Sequence, residues 1–188
     1  MLIAFNKPYN VLSQFTSSDG QHRTLAEFGF PKNVYPVGRL DVDSEGLLLL
    51  SDESDLNDLL LNPRNQHRRT YWAQVENVPS EEALEKLQYG VISNSRQTLP
   101  CRSRILDPQP IIGQRNPPIR FRKNIPTCWI AIELIEGKNR QVRKMTAAIG
   151  HPTLRLIRVQ IGEFRLNELD PGEWKYLSND ERKKVLCT

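Results

Sequence analysis

Apolar and polar positions alternate in several short runs of this chain and take a helical spacing in others. Residues 2–6 read as a short edge strand, closed by Lys7-Pro8-Tyr9-Asn10, where Asn10 can adopt a left-handed turn conformation. Residues 34–41 and 47–50 read as two strands flanking a tight acidic turn. Asp52 or Ser54 is placed to cap a helix through Leu56, Leu59, Leu60 and Leu61, which Pro63 ends. A basic loop, 64–69, leads into an aromatic and β-branched strand at 70–75. Ser80 opens a second helix with Glu81 and Glu82 in its first turn, and Gly90 closes it.

The second half continues in the same mixed style. Residues 99–106 predict a strand with Arg102 and Arg104 on one side and Cys101 and Ile105 on the other. Residues 107–126 hold five prolines and four basic residues and read as an exposed loop or irregular hairpin. A buried strand follows at 128–136, then a basic helix capped by Asn139 and ending near Gly150, a long strand at 154–161 and a terminal helix at 179–186. Strands outnumber helices and arrive in mixed order. This predicts an α+β fold with a mixed, largely antiparallel central sheet and flanking helices and loops. No internal repeat is evident.

The acidic turn changes the picture most. In Gly38-Arg39-Leu40-Asp41-Val42-Asp43-Ser44-Glu45-Gly46, Asp41 stands where a strand opens into a turn, so rigid sheet would fix its carboxylate. Arg39, two residues earlier, falls on the same face of an extended chain. Two other readings compete. Asp41, Asp43, Glu45, Gly46, Leu48 and Asp52 match the spacing of an EF-hand calcium loop, but strand-like flanks, four successive leucines and Asp at the twelfth position speak against it. An ordinary polar hairpin is the other.

At 188 residues the chain can bury a proper core, as one compact domain over 1–188 or as two closely packed halves. With 38% apolar and 26% charged residues it has a soluble, globular composition, and no apolar run approaches the length of a membrane span. The N-terminus does not resemble a secretion signal. Cys101, Cys128 and Cys187 form neither a disulfide framework nor a zinc pattern, which predicts a reducing, cytoplasmic setting and no metal. The net charge of +4 conceals an asymmetry: residues 64–165 hold 18 Lys and Arg against 8 Asp and Glu. A basic middle between acidic ends points to a polyanionic partner.

Several segments in order resemble the pseudouridine synthases, specifically the bacterial ribosomal-RNA group that includes the small-subunit enzyme RsuA. Lys7-Pro8 with Ser13 is similar to the family's first motif, with Asn10 where glycine is usual. Gly38-Arg39-Leu40-Asp41 through Ser51 resembles the catalytic motif. Arg69-Thr70-Tyr71 resembles the lysine-x-tyrosine element, with Arg in place of Lys. Glu136 through Met145 matches the late motif, and Leu156-Ile157-Arg158 with Ile161-Gly162 the closing one. Most of the group carry an S4-type RNA-binding domain ahead of the first motif. Only six residues precede Lys7, so that domain is expected to be absent, as in the S4-less large-subunit members.

The resemblance implies the pseudouridine synthase fold with a catalytic cleft across the sheet, and isomerisation of a specific uridine in ribosomal RNA, in the 23S rRNA of the large subunit. It implies Asp41 as catalytic carboxylate, Arg143 as its ion-pair partner, Tyr71 stacked on the uracil, and Arg39 filling the space left by the flipped base. No cofactor is expected, because substrate and product are isomers. Arg64, Arg68, Arg69, Arg102, Arg104, Arg120, Arg122, Lys123, Lys138 and Arg140 are the expected RNA-binding residues, and the protein is expected to act as a monomer on rRNA or an assembling large subunit. The alternative is a non-catalytic RNA-binding or ribosome-assembly protein with the same fold. Residues 107–126 are the segment expected to govern substrate choice.

Overall fold

A computed structural model describes residues 1–17, 20–93, 95–119, 125–167 and 169–187. In chain order its elements are β1 (Leu2–Lys7), β2 (Tyr35–Val37), β3 (Glu45–Ser51), α1 (Leu56–Leu61), β4 (Arg69–Glu76), α2 (Glu81–Tyr89), β5 (Ile92–Ser93), β6 (Arg96–Gln97), β7 (Arg102–Ile105), β8 (Thr127–Leu134), α3 (Gln141–Ala148), β9 (Thr153–Ile161), β10 (Phe164–Arg165), β11 (Trp174–Tyr176) and α4 (Asn179–Leu186). The chain divides into two compact units, one formed by Met1–Arg69 with Ile157–Thr188 and the other by Thr70–Leu156. This is an α+β fold with mixed, largely antiparallel pairing, as the sequence predicts.

In the first unit β3 is buried along its whole length, which explains the run Leu47-Leu48-Leu49-Leu50: a strand covered on both faces has no polar side to show. It pairs antiparallel with β1, Phe5 opposite Leu48, and with β2, Val37 opposite Leu49. At its start it runs parallel to β9, Gly46 opposite Arg158. One face packs Leu47 and Leu49 with Leu56, Leu60, Ile161, Phe164 and Val185. On the other side of β1, Phe5 meets the rings of Phe28 and Phe30 at 4.8 and 5.1 Å. Across β1, Phe5 lies opposite Trp174 of β11, and the Trp174 indole N–H donates to the Phe28 carbonyl.

In the second unit β7 and β8 pair antiparallel, Arg102 opposite Glu133, and β5 and β6 form a small hairpin. β4 buries every second residue, Arg69, Tyr71, Ala73 and Val75, as a half-covered strand should. α2 is capped by the Ser80 hydroxyl and closed by Gly90, as predicted.

Three boundaries differ from the sequence reading. The strand expected over 34–41 stops at Val37, because Gly38 turns left-handed at φ 72°, so Arg39 and Asp41 lie in an irregular segment instead of alternating along a strand. The first residue outside α1 is Asp55, with no side-chain cap bond, in place of Asp52 or Ser54. The residue before α3 is Arg140, itself left-handed at φ 51°, and Asn139 does not cap the helix. Pairing with both β11 and β3 makes β1 an interior strand instead of the expected edge strand. The sequence reading contains neither the β5–β6 hairpin nor β11. Both are too short to leave a periodic pattern.

Candidate active site

Asp41 sits in the turn between β2 and β3 and is half-buried, with exposed Arg39 and buried Leu40 before it. The backbone closes the turn through the Ser44 N–H, which donates to the Asp41 carbonyl at 3.0 Å. Segment 7–13 holds the same turn from outside. The Asn10 N–H donates to the Val42 carbonyl at 2.8 Å. The buried Ser13 hydroxyl donates to the Leu40 carbonyl at 2.8 Å and accepts from the Leu40 N–H at 3.0 Å. Asn10 reaches its place with φ 60°, the left-handed conformation expected for it.

Segment 7–13 is itself pinned by Lys7. Its side chain is fully buried, and its Nζ donates to the carbonyls of Pro8 at 2.9 Å and Val11 at 2.7 Å. Burial pushes the Lys7 ammonium down to about 8, against the pull of Glu45, Asp43 and Asp41, and the nearby Arg158 adds to the depression. Arg158 is also buried, and its Nε donates to the Leu47 carbonyl at 2.7 Å. The parallel contact of β3 with β9 needs a glycine. A Cβ on Gly46 would lie 2.4 Å from the Arg158 carbonyl oxygen, and φ is 99° there. The acidic turn is thus held by backbone and side-chain hydrogen bonds, with the buried cations Lys7 and Arg158 beside its carboxylates.

The strands on either side rule out an EF-hand. Glu45–Ser51 is strand β3, so the second half of the supposed loop cannot wrap an ion. Among the described residues no group of three His, Cys, Asp or Glu is arranged to hold a metal.

The second unit carries the other expected site residues. Tyr71 is on the buried face of β4 and is 9% exposed. Arg143 is half-buried on α3, where its Nη1 donates to the Thr153 carbonyl at 3.3 Å. Glu136, a motif residue with no role assigned from sequence, is 3% exposed. It accepts from the Leu99 N–H at 2.8 Å and the Gln141 amide at 2.6 Å, and pairs with Lys138 at 2.9 Å. Burial alone would raise the Glu136 carboxyl, but the Leu99 N–H, Lys138 and Gln141 outweigh it and hold the group below its ordinary value.

The expected RNA-binding residues divide by exposure. Arg64, Arg102, Arg104, Lys138 and Arg140 are exposed, and Arg68 is half-buried. Arg69 is only 3% exposed, so it is not available as a surface phosphate contact in this conformation. Arg120, Arg122 and Lys123 lie outside the described residues. The described parts of 107–126 are free of helix and of strand, as predicted for a loop. The Gln109 side chain accepts from the Trp129 N–H at 2.7 Å, and the buried Arg155 donates to the Gly113 carbonyl at 2.7 Å. Missed in the sequence were the buried states of Lys7, Arg158 and Glu136. Their charge reads as surface until the backbone carbonyls and carboxylates around them are known.

Known proteins supply the remaining context. The family described as RNA pseudouridylate synthase matches residues 1–148. A protein of Vibrio parahaemolyticus named ribosomal large subunit pseudouridine synthase E is 52% identical over 93% of this chain and 72% of its own. One of the same name from Xanthomonas axonopodis is 53% identical, over 91% of this chain and 90% of its own. The dual-specificity RNA pseudouridine synthase RluF of Escherichia coli is 32% identical over 96% of this chain and 56% of its own. A crystal structure of a pseudouridylate synthase superposes with a TM-score of 0.79 and 25% identity, covering 98% of this chain and 73% of that one. These matches bear out the resemblance to the ribosomal-RNA group. The family match takes in the Lys7-Pro8 segment, the Asp41 turn, Tyr71 and Arg143 together, and the chain therefore belongs to the RNA pseudouridylate synthase family.

Proposed function

We propose that this protein is an isomerase that converts one uridine of 23S ribosomal RNA to pseudouridine, with Asp41 as its catalytic carboxylate. In that reaction the N1–C1′ bond breaks, the uracil turns, and a C5–C1′ bond forms. The proton lost from C5 is balanced by one taken up at N1, so nothing is consumed. The observation that carries the reading is the built corner around Asp41: a half-buried carboxylate whose flanking backbone is gripped by Ser13 and Asn10. A protein that only binds RNA gains nothing from fixing a carboxylate so firmly beside a polyanion.

In this reading Arg143 is the counter-ion of Asp41, Tyr71 the ring stacked on the uracil, and exposed Arg39 the residue that replaces the flipped base, roles that the motif resemblance supports. Relatives named for the large ribosomal subunit favour 23S rRNA or a large-subunit assembly intermediate as substrate. Arg64, Arg68, Arg102, Arg104, Lys138 and Arg140 supply phosphate contacts, and loop 107–126 contributes to site choice. The protein works as a monomer in the cytoplasm, a setting consistent with its three free cysteines. No helix among the described residues is long and apolar enough to cross a membrane.

The test is to incubate purified protein with unmodified 23S rRNA and map pseudouridine at nucleotide resolution. A single new pseudouridine is expected. No new pseudouridine on naked rRNA or on large-subunit precursors would overturn the reading in favour of a non-catalytic RNA-binding protein.

A further inference from the structure

We propose that Glu136 is a positioning residue for Arg143, acting through Gln141 and the first turn of α3; the inference rests on the reading of Arg143 as counter-ion to the catalytic carboxylate. A helix start leaves backbone donors unmet, and a Ser, Thr, Asp or Asn side chain usually meets one of them. α3 begins differently. The residue before it is Arg140 in the left-handed conformation, φ 51°, and its side chain makes no cap hydrogen bond to the helix. The capping position itself does not fix where this helix begins.

Glu136 supplies the missing constraint. It lies five residues before Gln141, the first residue of α3, and its Oε1 accepts from Gln141 Nε2 at 2.6 Å. The same amide group accepts the Lys138 N–H through its Oε1 at 2.9 Å, and the Gln141 N–H returns to the Lys138 carbonyl at 3.1 Å. Glu136 also accepts the Leu99 N–H at 2.8 Å, which ties the chain after the β5–β6 hairpin to the same point. Both Glu136 and Gln141 are buried, at 3% and 5% exposure, so water does not compete for these bonds. A carboxylate at this end of the helix also suits its dipole.

Arg143 follows Gln141 by two residues, inside the turn that this network anchors. Its guanidinium has a second support at the Thr153 carbonyl, and its own carbonyl accepts from the Thr146 hydroxyl at 3.2 Å. Glu136 sets the start of the helix, and Thr153 and Thr146 hold the same residue one turn on. A shift of the first turn by a fraction of an ångström displaces the guanidinium by a similar amount. Misplacements of this size at a reacting centre reduce turnover steeply.

The experiment compares kcat, KM for an rRNA fragment and thermal midpoint among wild type, Glu136→Ala, Glu136→Gln and Gln141→Met. Gln141→Met keeps the apolar stem and removes only the amide, so it breaks the Glu136 link even if Glu136→Ala does not fold. The expected result is a kcat lowered about tenfold or more in Gln141→Met and Glu136→Ala with KM little changed, and substantial recovery in Glu136→Gln. Unchanged kcat in folded Gln141→Met overturns the proposal, as does a loss confined to the thermal midpoint. Arg143→Met is assayed alongside. If it keeps normal turnover, the underlying counter-ion reading fails; if it is inactive while Gln141→Met is normal, only the positioning role of Glu136 fails.

Discussion

The Ser13 hydroxyl holds both backbone polar groups of Leu40, donating to its carbonyl at 2.8 Å and accepting from its N–H at 3.0 Å. Leu40 and Ser13 are both buried, at 6% and 5% exposure, so neither bond is replaced by water when the hydroxyl is lost. Asp41 is the next residue along the chain. Ser13 thus fixes the approach to the proposed catalytic carboxylate without touching it.

Ser13→Ala leaves a buried donor and a buried acceptor unpaired, which costs about 1–3 kcal/mol of stability. Turnover falls as well, because the turn regains freedom next to Asp41. Chemical denaturation and single-turnover kinetics on an rRNA fragment check the two effects. Full turnover in a destabilised Ser13→Ala protein would limit the residue to a folding role.

Lys7 gives the fold a distinctive pH dependence. Its ordinary value is 10.5 and its folded value is about 8, so between these limits the unfolded chain holds more protons than the folded one. Stability therefore rises with pH across that window. The penalty for burying the charged ammonium is fully present below about pH 8 and is relieved as pH approaches 10.5. Thermal midpoints of wild type and Lys7→Met should shift in favour of wild type between about pH 7 and about pH 10. A difference that stays constant over that range would contradict the burial of a titrating Lys7.

The strand β7 exposes Arg102 and Arg104 on one side, and Arg102 makes a 3.4 Å contact with Glu133. If both meet phosphates, replacing them with Ala lowers the slope of log affinity against log salt by about 2. The weakening is expected on specific and unrelated RNA alike. Filter binding at several salt concentrations measures it, and an unchanged slope would place the RNA elsewhere.

Long periodic or continuous patterns were legible in the sequence. The four leucines of β3, the Ser80-to-Gly90 frame of α2 and the aromatic and β-branched segment of β4 all fold as their patterns direct. What escaped was set by single residues whose backbone conformation or hydrogen bonds no periodic pattern marks. Gly38 ends β2 early because it turns left-handed, and Leu61 side-chain carbons lie 3.0 and 3.2 Å from where its Cβ would be. The start of α3 depends on Glu136 and Gln141, not on the polar Asn139 that the capping rule selects. Family-like motifs flagged Asp41 in the first unit and Tyr71 and Arg143 in the second as candidate site residues. The buried charges of Lys7 and Glu136 became visible only with the groups that surround them: local ones such as the Pro8 and Val11 carbonyls and the Gln141 amide, which no period marks, and distant ones such as Glu45 and the Leu99 N–H.

Asp41 is proposed as the carboxylate of an RNA isomerase. Asp41→Asn keeps the shape of the side chain and removes its charge, leaving the grip of Ser13 on Leu40 untouched. The decisive measurement is nucleotide-resolution mapping of pseudouridine in 23S rRNA treated with wild-type or Asp41→Asn protein, with RNA affinity and thermal midpoint recorded for both. One modified uridine is expected with wild type and none with Asp41→Asn, at near-equal affinity and stability. Modification of the same uridine by a well-folded Asp41→Asn protein at a comparable rate would contradict it.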